Sequence, residues 1–116
     1  MDIEIIPAVM PRSLADLRAS VERVVGHVRT VQIDVMDGVF VPSVDWPYLD
    51  QRTELEFRAL TGGARQLPHS ERVEYEVDLM VAEPERVVTD WVRVGVKRII
   101  VHVESSEYIA AALMRG

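Results

Sequence analysis

The sequence predicts an α/β domain in which about four βα units follow one another on a parallel sheet. Short apolar runs rich in valine and isoleucine alternate with longer segments whose apolar residues recur at helical spacing, and Gly and Pro residues separate them. Strands that alternate with helices pair in parallel through right-handed crossovers. At 116 residues the chain has the length of one domain.

The N-terminal half contains two of these units. Residues 3–6 are mostly apolar and Pro7 follows them, which predicts a first strand. Ser13 stands where a helix cap is expected, and residues 14–28 carry apolar side chains at helical spacing. A second strand is predicted over 30–35, a loop with two prolines over 38–49, and a helix over 51–60 that Gly62 and Gly63 end.

The C-terminal half contains two more units. Residues 72–79 predict a third strand, and Pro84 in a first helical turn opens a helix that Gly95 ends. The predicted apolar face of this helix consists of Val87, Val88, Trp91 and Val92. A fourth strand is predicted over 98–103, and Ser105 or Ser106 caps a last helix.

Charge and composition argue against several classes of function. The net charge is −6 and the arginines are spread without a basic run, so nucleic-acid binding is not expected. The apolar runs fall short of the ~20 residues that span a bilayer. The acidic start Met-Asp-Ile-Glu is unlike a secretory signal, which predicts a cytoplasmic protein without membrane contact. Because the chain has no cysteine, any metal site would use oxygen or imidazole ligands.

Residues 31–42 carry the clearest candidate site. Side chains at alternate positions of a strand share a face, so Gln32, Asp34 and Met36 project to one side and the apolar residues between them to the other. In a parallel α/β fold, functional groups collect at the C-terminal ends of the strands. Asp34, Asp78 and His102 all lie near such ends.

Residues 32–42 read Gln-Ile-Asp-Val-Met-Asp-Gly-Val-Phe-Val-Pro. This segment resembles the signature of the ribulose-phosphate 3-epimerase family, His-Val-Asp-Val-Met-Asp-Gly-His-Phe-Val-Pro. Residues 6–10, 75–80, 83–85 and 101–104 also resemble segments of the family, whereas residues 45–72 diverge. The resemblance implies that residues 1–116 form the N-terminal half of a ribulose-phosphate-binding barrel, a partial (β/α)8 TIM barrel with about half of the ~250 residues of a complete one.

The resemblance also implies an activity, the epimerisation of a pentulose phosphate by metal-assisted proton abstraction. At the position of Asp34 the family has an aspartate that binds a divalent metal and removes the proton from the sugar carbon beside the carbonyl. The family's metal ligands, two histidines and two aspartates, correspond here to Gln32, Asp34 and Asp78, with the fourth ligand in the second half of the barrel. The implied cofactor is a divalent metal, Mg, Mn, Fe or Zn. Two carboxylates and an amide oxygen suit Mg or Mn better than Zn. A polar cluster without metal is the alternative.

Three further positions correspond to residues that contact the substrate in the family. Ala8 stands where the family has a serine that helps to bind the substrate. Met36 and Met80 match methionines that line the family's site, and packing against the core is the alternative role for both.

Other residues near the motif have local explanations. Asp37-Gly38 after a strand is a turn former whatever the function, and His102 is either a hydrogen-bonded core histidine or a site residue.

Lys97, the single lysine, starts the fourth strand away from the expected site. Its position argues against barrel decarboxylases, hexulose-phosphate synthases and Schiff-base aldolases, which need a lysine in the site.

A non-catalytic role is the alternative function, either as a truncated relative or as a half-barrel assembly module. The family holds the phosphate with loops of the second half of the barrel, so the resemblance predicts impaired activity for this chain with its sugar phosphate substrate. Four strands also leave two sheet edges with unpaired backbone groups. We therefore expect a homo-oligomer or a complex with a complementary half-barrel.

Overall fold

Strands and helices alternate along the chain in a computed structural model of the protein, which describes residues 3–105. The strands are β1 (Ala8–Val9), β2 (Thr30–Met36), β3 (Glu74–Met80) and β4 (Arg98–Val101). The helices are α1 (Leu14–Glu22), α2 (Gln51–Thr61) and α3 (Val88–Val94), with 3₁₀ turns at Pro84–Arg86 and Val103–Ser105. The strands lie in the order β1-β2-β3-β4 and every neighbouring pair is parallel. This confirms the α/β prediction and is consistent with a partial TIM barrel.

The hydrophobic core lies between one face of the sheet and the helices. On β2, Val31, Ile33 and Val35 are fully buried, whereas the alternate residues are half-buried. The helices cover this face with Leu14, Leu17, Val21, Phe57, Leu60 and Trp91. The opposite face, called the polar face below, carries Gln32, Asp34 and Asp78 together with Ala8, Met36 and Met80, as the alternation in the sequence predicts.

Capping residues mark where the helices begin and where α3 ends. The N–H of Asp16 donates to Ser13 Oγ at 2.9 Å, which caps α1 as predicted. At α2, Asp50 and Thr53 form a reciprocal capping box, with bonds of 2.9 and 3.0 Å. Gly95 ends α3 with a φ of +101°, the left-handed conformation that glycine adopts without strain.

The first strand differs from the prediction over residues 3–6. β1 begins at Ala8, which pairs with Gln32, and the N–H of Gln32 donates to the carbonyl of Pro7 at 2.9 Å. With this register, residues 3–5 extend past the start of β2 and have no strand beside them, and Ile3 is 80% exposed. Apolar composition alone therefore located the strand too early, because the pairing partner determines where it begins.

Two helix boundaries also differ from those that the spacing of apolar residues predicts. α1 ends at Glu22, although Val24, Val25 and Val28 still pack against the core from the following turn. The segment after Pro84 starts as a 3₁₀ turn before α3 forms.

Two predictions at the C-terminal end of the described segment have different outcomes. Val92, which the spacing predicts on the apolar face, is 59% exposed, whereas Trp91 beside it is fully buried. The predicted last helix after Ser105 or Ser106 lies outside the described residues.

Within residues 3–105, no helix combines the length and apolar character that crossing a bilayer requires.

Candidate functional site

The polar face of the sheet carries the residues that the sequence predicts for a site. These are Ala8, Gln32, Asp34, Met36, Asp78 and Met80. Asp34 lies directly opposite Asp78 on the neighbouring strand, and Met36 lies opposite Met80. Since paired residues of adjacent strands are only about 5 Å apart, the fold brings the two carboxylates and then the two methionines together near the C-terminal ends of β2 and β3.

Gln32 contacts Asp34 along the same strand. The two residues are two positions apart and therefore share a face, and Gln32 Nε2 donates a hydrogen bond to Asp34 Oδ1 at 2.7 Å. Both side chains are half-buried. The amide thus holds one oxygen of the carboxylate and orients it on the polar face.

Asp78 has a different partner, the imidazole of His102. His102 Nε2 lies 2.7 Å from Asp78 Oδ1, and the two side chains are 33% and 18% exposed. The imidazole also contacts the ring of Phe40, with the ring centroids 5.6 Å apart and the ring planes tilted by 40°. His102 is therefore half-buried just after β4 and is held by one polar and one aromatic contact.

Asp37 fastens the loop that follows β2. Its Oδ1 accepts hydrogen bonds from the N–H groups of Val39 and Phe40 at 2.9 and 3.2 Å, and its Oδ2 accepts one from the N–H of Ala82 at 3.0 Å. Gly38 beside it has a φ of +80°. The carboxylate thus shapes a turn and ties it to the segment after β3, in agreement with the turn predicted for Asp37-Gly38.

Asp45, in the loop between β2 and α2, is a buried carboxyl that the sequence does not single out. The residue is 7% exposed, and no donor among residues 3–105 binds its Oδ2. Burial raises the pKa of Asp45 above its ordinary value, while nearby Arg12 lowers it and the charge of Asp34 raises it. An isolated aspartate in a divergent loop gives no periodic signal, because its burial depends on the path of the loop over the sheet.

The donor set tests whether this site fits the divalent metal that the resemblance implies. Within residues 3–105, no group of three His, Asp or Glu side chains is arranged to hold a metal ion. One oxygen of Asp34 and one of Asp78 are bound to Gln32 and His102. Gln32 also turns its N–H group toward Asp34, whereas two ligands of one cation would both direct oxygen atoms at it. The described residues therefore do not fit the metal.

The N-terminal ends of the strands, opposite the site, carry charged side chains of both signs. Glu76, one layer below Asp78 on β3, is 6% exposed and lies 3.8 Å from the guanidinium of Arg98. An open cavity of about 620 Å³ at this end is lined by side chains of both charge signs, including Glu4, Arg29, Glu74 and Lys97. This cavity lies at the N-terminal end of the sheet, so it is separate from the site around Asp34.

The sequence is similar to a known protein family. The sequence model of the ribulose-phosphate 3 epimerase family matches residues 4–115 of the 116-residue chain. None of the curated proteins matches the chain. The matched range includes every strand and helix described above, and with them the site residues on β2, β3 and β4.

Proposed function

Because the chain belongs to the ribulose-phosphate 3-epimerase family, we propose that it is an isomerase that binds a pentulose phosphate and inverts the carbon beside its carbonyl. The observation that carries the proposal is the position of Asp34. This carboxylate lies half-buried on the polar face near the C-terminal end of β2, opposite Asp78 and oriented by Gln32. Asp34 is the proposed catalytic base.

In the proposed reaction, Asp34 removes the proton from the carbon beside the carbonyl, and the electron pair of that bond forms an enediolate. A carboxylate is a weak base for such a proton, so the developing negative oxygen needs stabilisation from nearby donors. Members of the family generally use divalent metals. Since the described residues of this chain do not fit one, no step is assigned to a metal, and we expect slower turnover than a metal-assisted reaction would give.

The remaining site residues receive positioning and lining roles in this proposal. Gln32 orients Asp34, and Asp78 orients His102, through the bonds already described. Met36 and Met80, side by side on β2 and β3, are proposed to contact the sugar. Ala8 lies beside Gln32 on β1 and leaves space where a larger side chain would reach the substrate.

A non-catalytic half-barrel module is the second candidate function. It is favoured by Gln32 and Ala8, which stand where the resemblance implies a metal ligand and a substrate-binding serine. In either function we propose that the chain forms one domain in the cytoplasm and assembles as a homo-oligomer or with a complementary half-barrel.

Nuclear magnetic resonance of the labelled chain with ribulose 5-phosphate tests the two candidates. The isomerase predicts that the backbone amides of Asp34, Met36, Asp78 and Met80 shift on titration. It also predicts that the sugar proton beside the carbonyl exchanges for deuterium in deuterated water. The non-catalytic module predicts neither change, and the absence of both would contradict the proposed function.

A further inference from the structure

We propose that His102 is a substrate-binding residue of this site and that Asp78 positions it, so that the free ring nitrogen receives a hydrogen bond from a hydroxyl group of the sugar. The inference rests on the proposed function, because the ligand is the same pentulose phosphate. It adds a polar contact from the end of β4 to a site whose carboxylates lie on β2 and β3.

The backbone of His102 is fixed just after the end of β4. The N–H of Ser105 donates to the carbonyl of His102 at 2.9 Å, and the hydroxyl of Ser105 donates to the same oxygen. The carbonyl of the buried Ser105 accepts a hydrogen bond from the N–H of Glu83, in the segment after β3, at 3.1 Å. The turn after β4 therefore attaches His102 to the end of the sheet where Asp78 lies.

Two side chains hold the imidazole ring over the polar face. Its Nε2 lies 2.7 Å from Oδ1 of Asp78, which is on that face and directly opposite Asp34. Phe40, in the loop after β2, contacts the ring with the centroids 5.6 Å apart. Because segments after three strands hold His102 in place, little side-chain freedom is left to lose when a ligand binds.

The contact with Asp78 determines which ring nitrogen is free. A carboxylate oxygen only accepts hydrogen bonds, so Nε2 carries the proton and Nδ1 of the neutral ring keeps its lone pair. Within residues 3–105, no hydrogen bond joins Nδ1 to another residue, and the His102 side chain is 33% exposed. Nδ1 is therefore able to accept a hydrogen bond from a bound molecule.

A sugar hydroxyl suits this nitrogen better than the phosphate of the same substrate. The negative charge of the Asp78 carboxylate beside the ring repels a phosphate, whereas a hydroxyl is neutral and donates one hydrogen bond. Asp34 and Asp78 are about 5 Å apart on adjacent strands, and the imidazole contacts the second of them. This separation is within reach of a five-carbon sugar whose reacting carbon lies at Asp34.

The affinity of the full chain for ribulose 5-phosphate, measured by nuclear magnetic resonance titration, tests the contact. In His102→Gln the side-chain amide can still donate to Asp78, but no acceptor takes the place of Nδ1. We expect His102→Gln and His102→Ala to bind about 3- to 10-fold more weakly than the wild type, which corresponds to the loss of one hydrogen bond. His27→Ala, at an exposed histidine before β2, is the matched control and should bind as the wild type.

A double-variant cycle tests the positioning role of Asp78. Asp78→Ala should weaken binding about as much as His102→Ala, and the double variant should lose no more than either single variant, because both changes remove the same contact. Asp90→Ala, at an ion pair between α3 and α2, is the matched control and should bind as the wild type. Losses that add in the double variant would contradict the positioning role.

Analogues of ribulose 5-phosphate that lack one hydroxyl, at the first, third or fourth carbon, identify the group that His102 contacts. Wild type and His102→Gln should bind one of the three analogues equally and keep their difference for the other two, which a purely structural role of His102 would not produce.

Circular dichroism checks that each variant is folded. Equal affinity of folded His102→Gln and wild type for ribulose 5-phosphate, or a difference that persists for all three analogues, would contradict the role of His102 alone. A wild-type chain that does not bind ribulose 5-phosphate would instead contradict the proposed function, and the inference with it.

Discussion

At the scale of single residues, the chemistry of the site depends on how two neighbouring carboxylates are bound. Asp34 and Asp78 face each other across β2 and β3, and each has one oxygen in a 2.7 Å contact, the first with Gln32 and the second with His102. These polar contacts compensate the carboxylates where a cation would otherwise do so. The same arrangement leaves Asp45 as the carboxyl whose buried oxygen lacks a donor among residues 3–105.

Manganese titration checks whether Asp34 and Asp78 bind a divalent cation. We expect calorimetry of the wild-type chain to show no saturable heat from Asp34 and Asp78, because Gln32 and His102 already bind one oxygen of each. His102→Ala, which frees the oxygen of Asp78, is the comparison variant and should bind manganese more tightly than the wild type. A saturable signal in the wild type that disappears in Asp34→Asn would contradict the assignment.

The stability of the chain should depend on pH through Asp45. Burial raises its pKa in the folded state, so the stability it contributes is fully present below the ordinary pKa of ~3.9 and is lost as the pH rises through the folded-state value. Asp45→Asn should therefore have a higher free energy of unfolding than the wild type at neutral pH, and this advantage should disappear at low pH. Urea unfolding across this pH range measures the difference, and an Asn variant that is no more stable at neutral pH would contradict it.

The sequence predicts the orientation of a residue correctly where the periodicity of a strand determines which face its side chain is on. The strand period of two places Gln32, Asp34 and Met36 on one face, and they lie there. The contacts of Asp78 with His102 and the burial of Asp45 depend on segments that are distant in the sequence. No spacing rule links such residues, so these features require the folded structure.

At the scale of elements, the loop after β2 determines the shape of the site's rim. Asp37 holds the turn through both carboxylate oxygens, and Gly38 has a φ of +80°. A Cβ on Gly38 would lie 2.7 Å from Val44 Cγ2, closer than non-bonded carbon atoms approach. The loop that carries Phe40 and Asp45 therefore depends on glycine at this turn.

Alanine substitution tests this turn against a matched glycine. Gly63 has nearly the same φ, +83°, but a Cβ there would meet no atom of the described residues within 4 Å. Both Gly38→Ala and Gly63→Ala place alanine in left-handed backbone, whereas only Gly38→Ala also forces an overlap. We expect Gly38→Ala to lose about 1–3 kcal/mol more in urea unfolding than Gly63→Ala. Equal losses would mean that the overlap with Val44 is relieved without cost.

The sequence predicts the type of each described helix and strand better than it predicts where the element begins and ends. Caps at Ser13 and Gly95 mark their helix ends because the signal is local. The apolar composition predicts the first strand over residues 3–6, whereas β1 is Ala8–Val9, because the pairing register with β2 decides its position. The start of α2 also depends on local residues, because the capping box between Asp50 and Thr53 fixes it without a partner that is distant in the sequence.

At the scale of the whole molecule, the described sheet has two open edges. Within residues 3–105, β1 pairs only with β2 and β4 only with β3. Near the β4 edge, Ile99 and Ile100 are half-buried and Val101 is 37% exposed. Exposed strand edges with apolar side chains favour pairing with another chain.

Sedimentation of the purified chain at low micromolar concentration checks the assembly. We expect a dimer or a larger species, because association would pair the open edges and cover the apolar side chains beside them. Titration to lower concentration should dissociate it together with a loss of thermal stability. A compact, cooperatively melting monomer of 13.1 kDa would show that the edges need no partner.

The central claim, that Asp34 removes the proton beside the carbonyl of a pentulose phosphate, is tested most directly by the rate of deuterium exchange at that carbon. Wild type and Asp34→Asn are compared with ribulose 5-phosphate in deuterated water, with Asp90→Asn as the control. We expect exchange in the wild type and in Asp90→Asn, and a rate about 10²–10⁴ times lower in Asp34→Asn, because the amide cannot accept the proton. Equal exchange by wild type and Asp34→Asn, or none by the wild type, would contradict the claim.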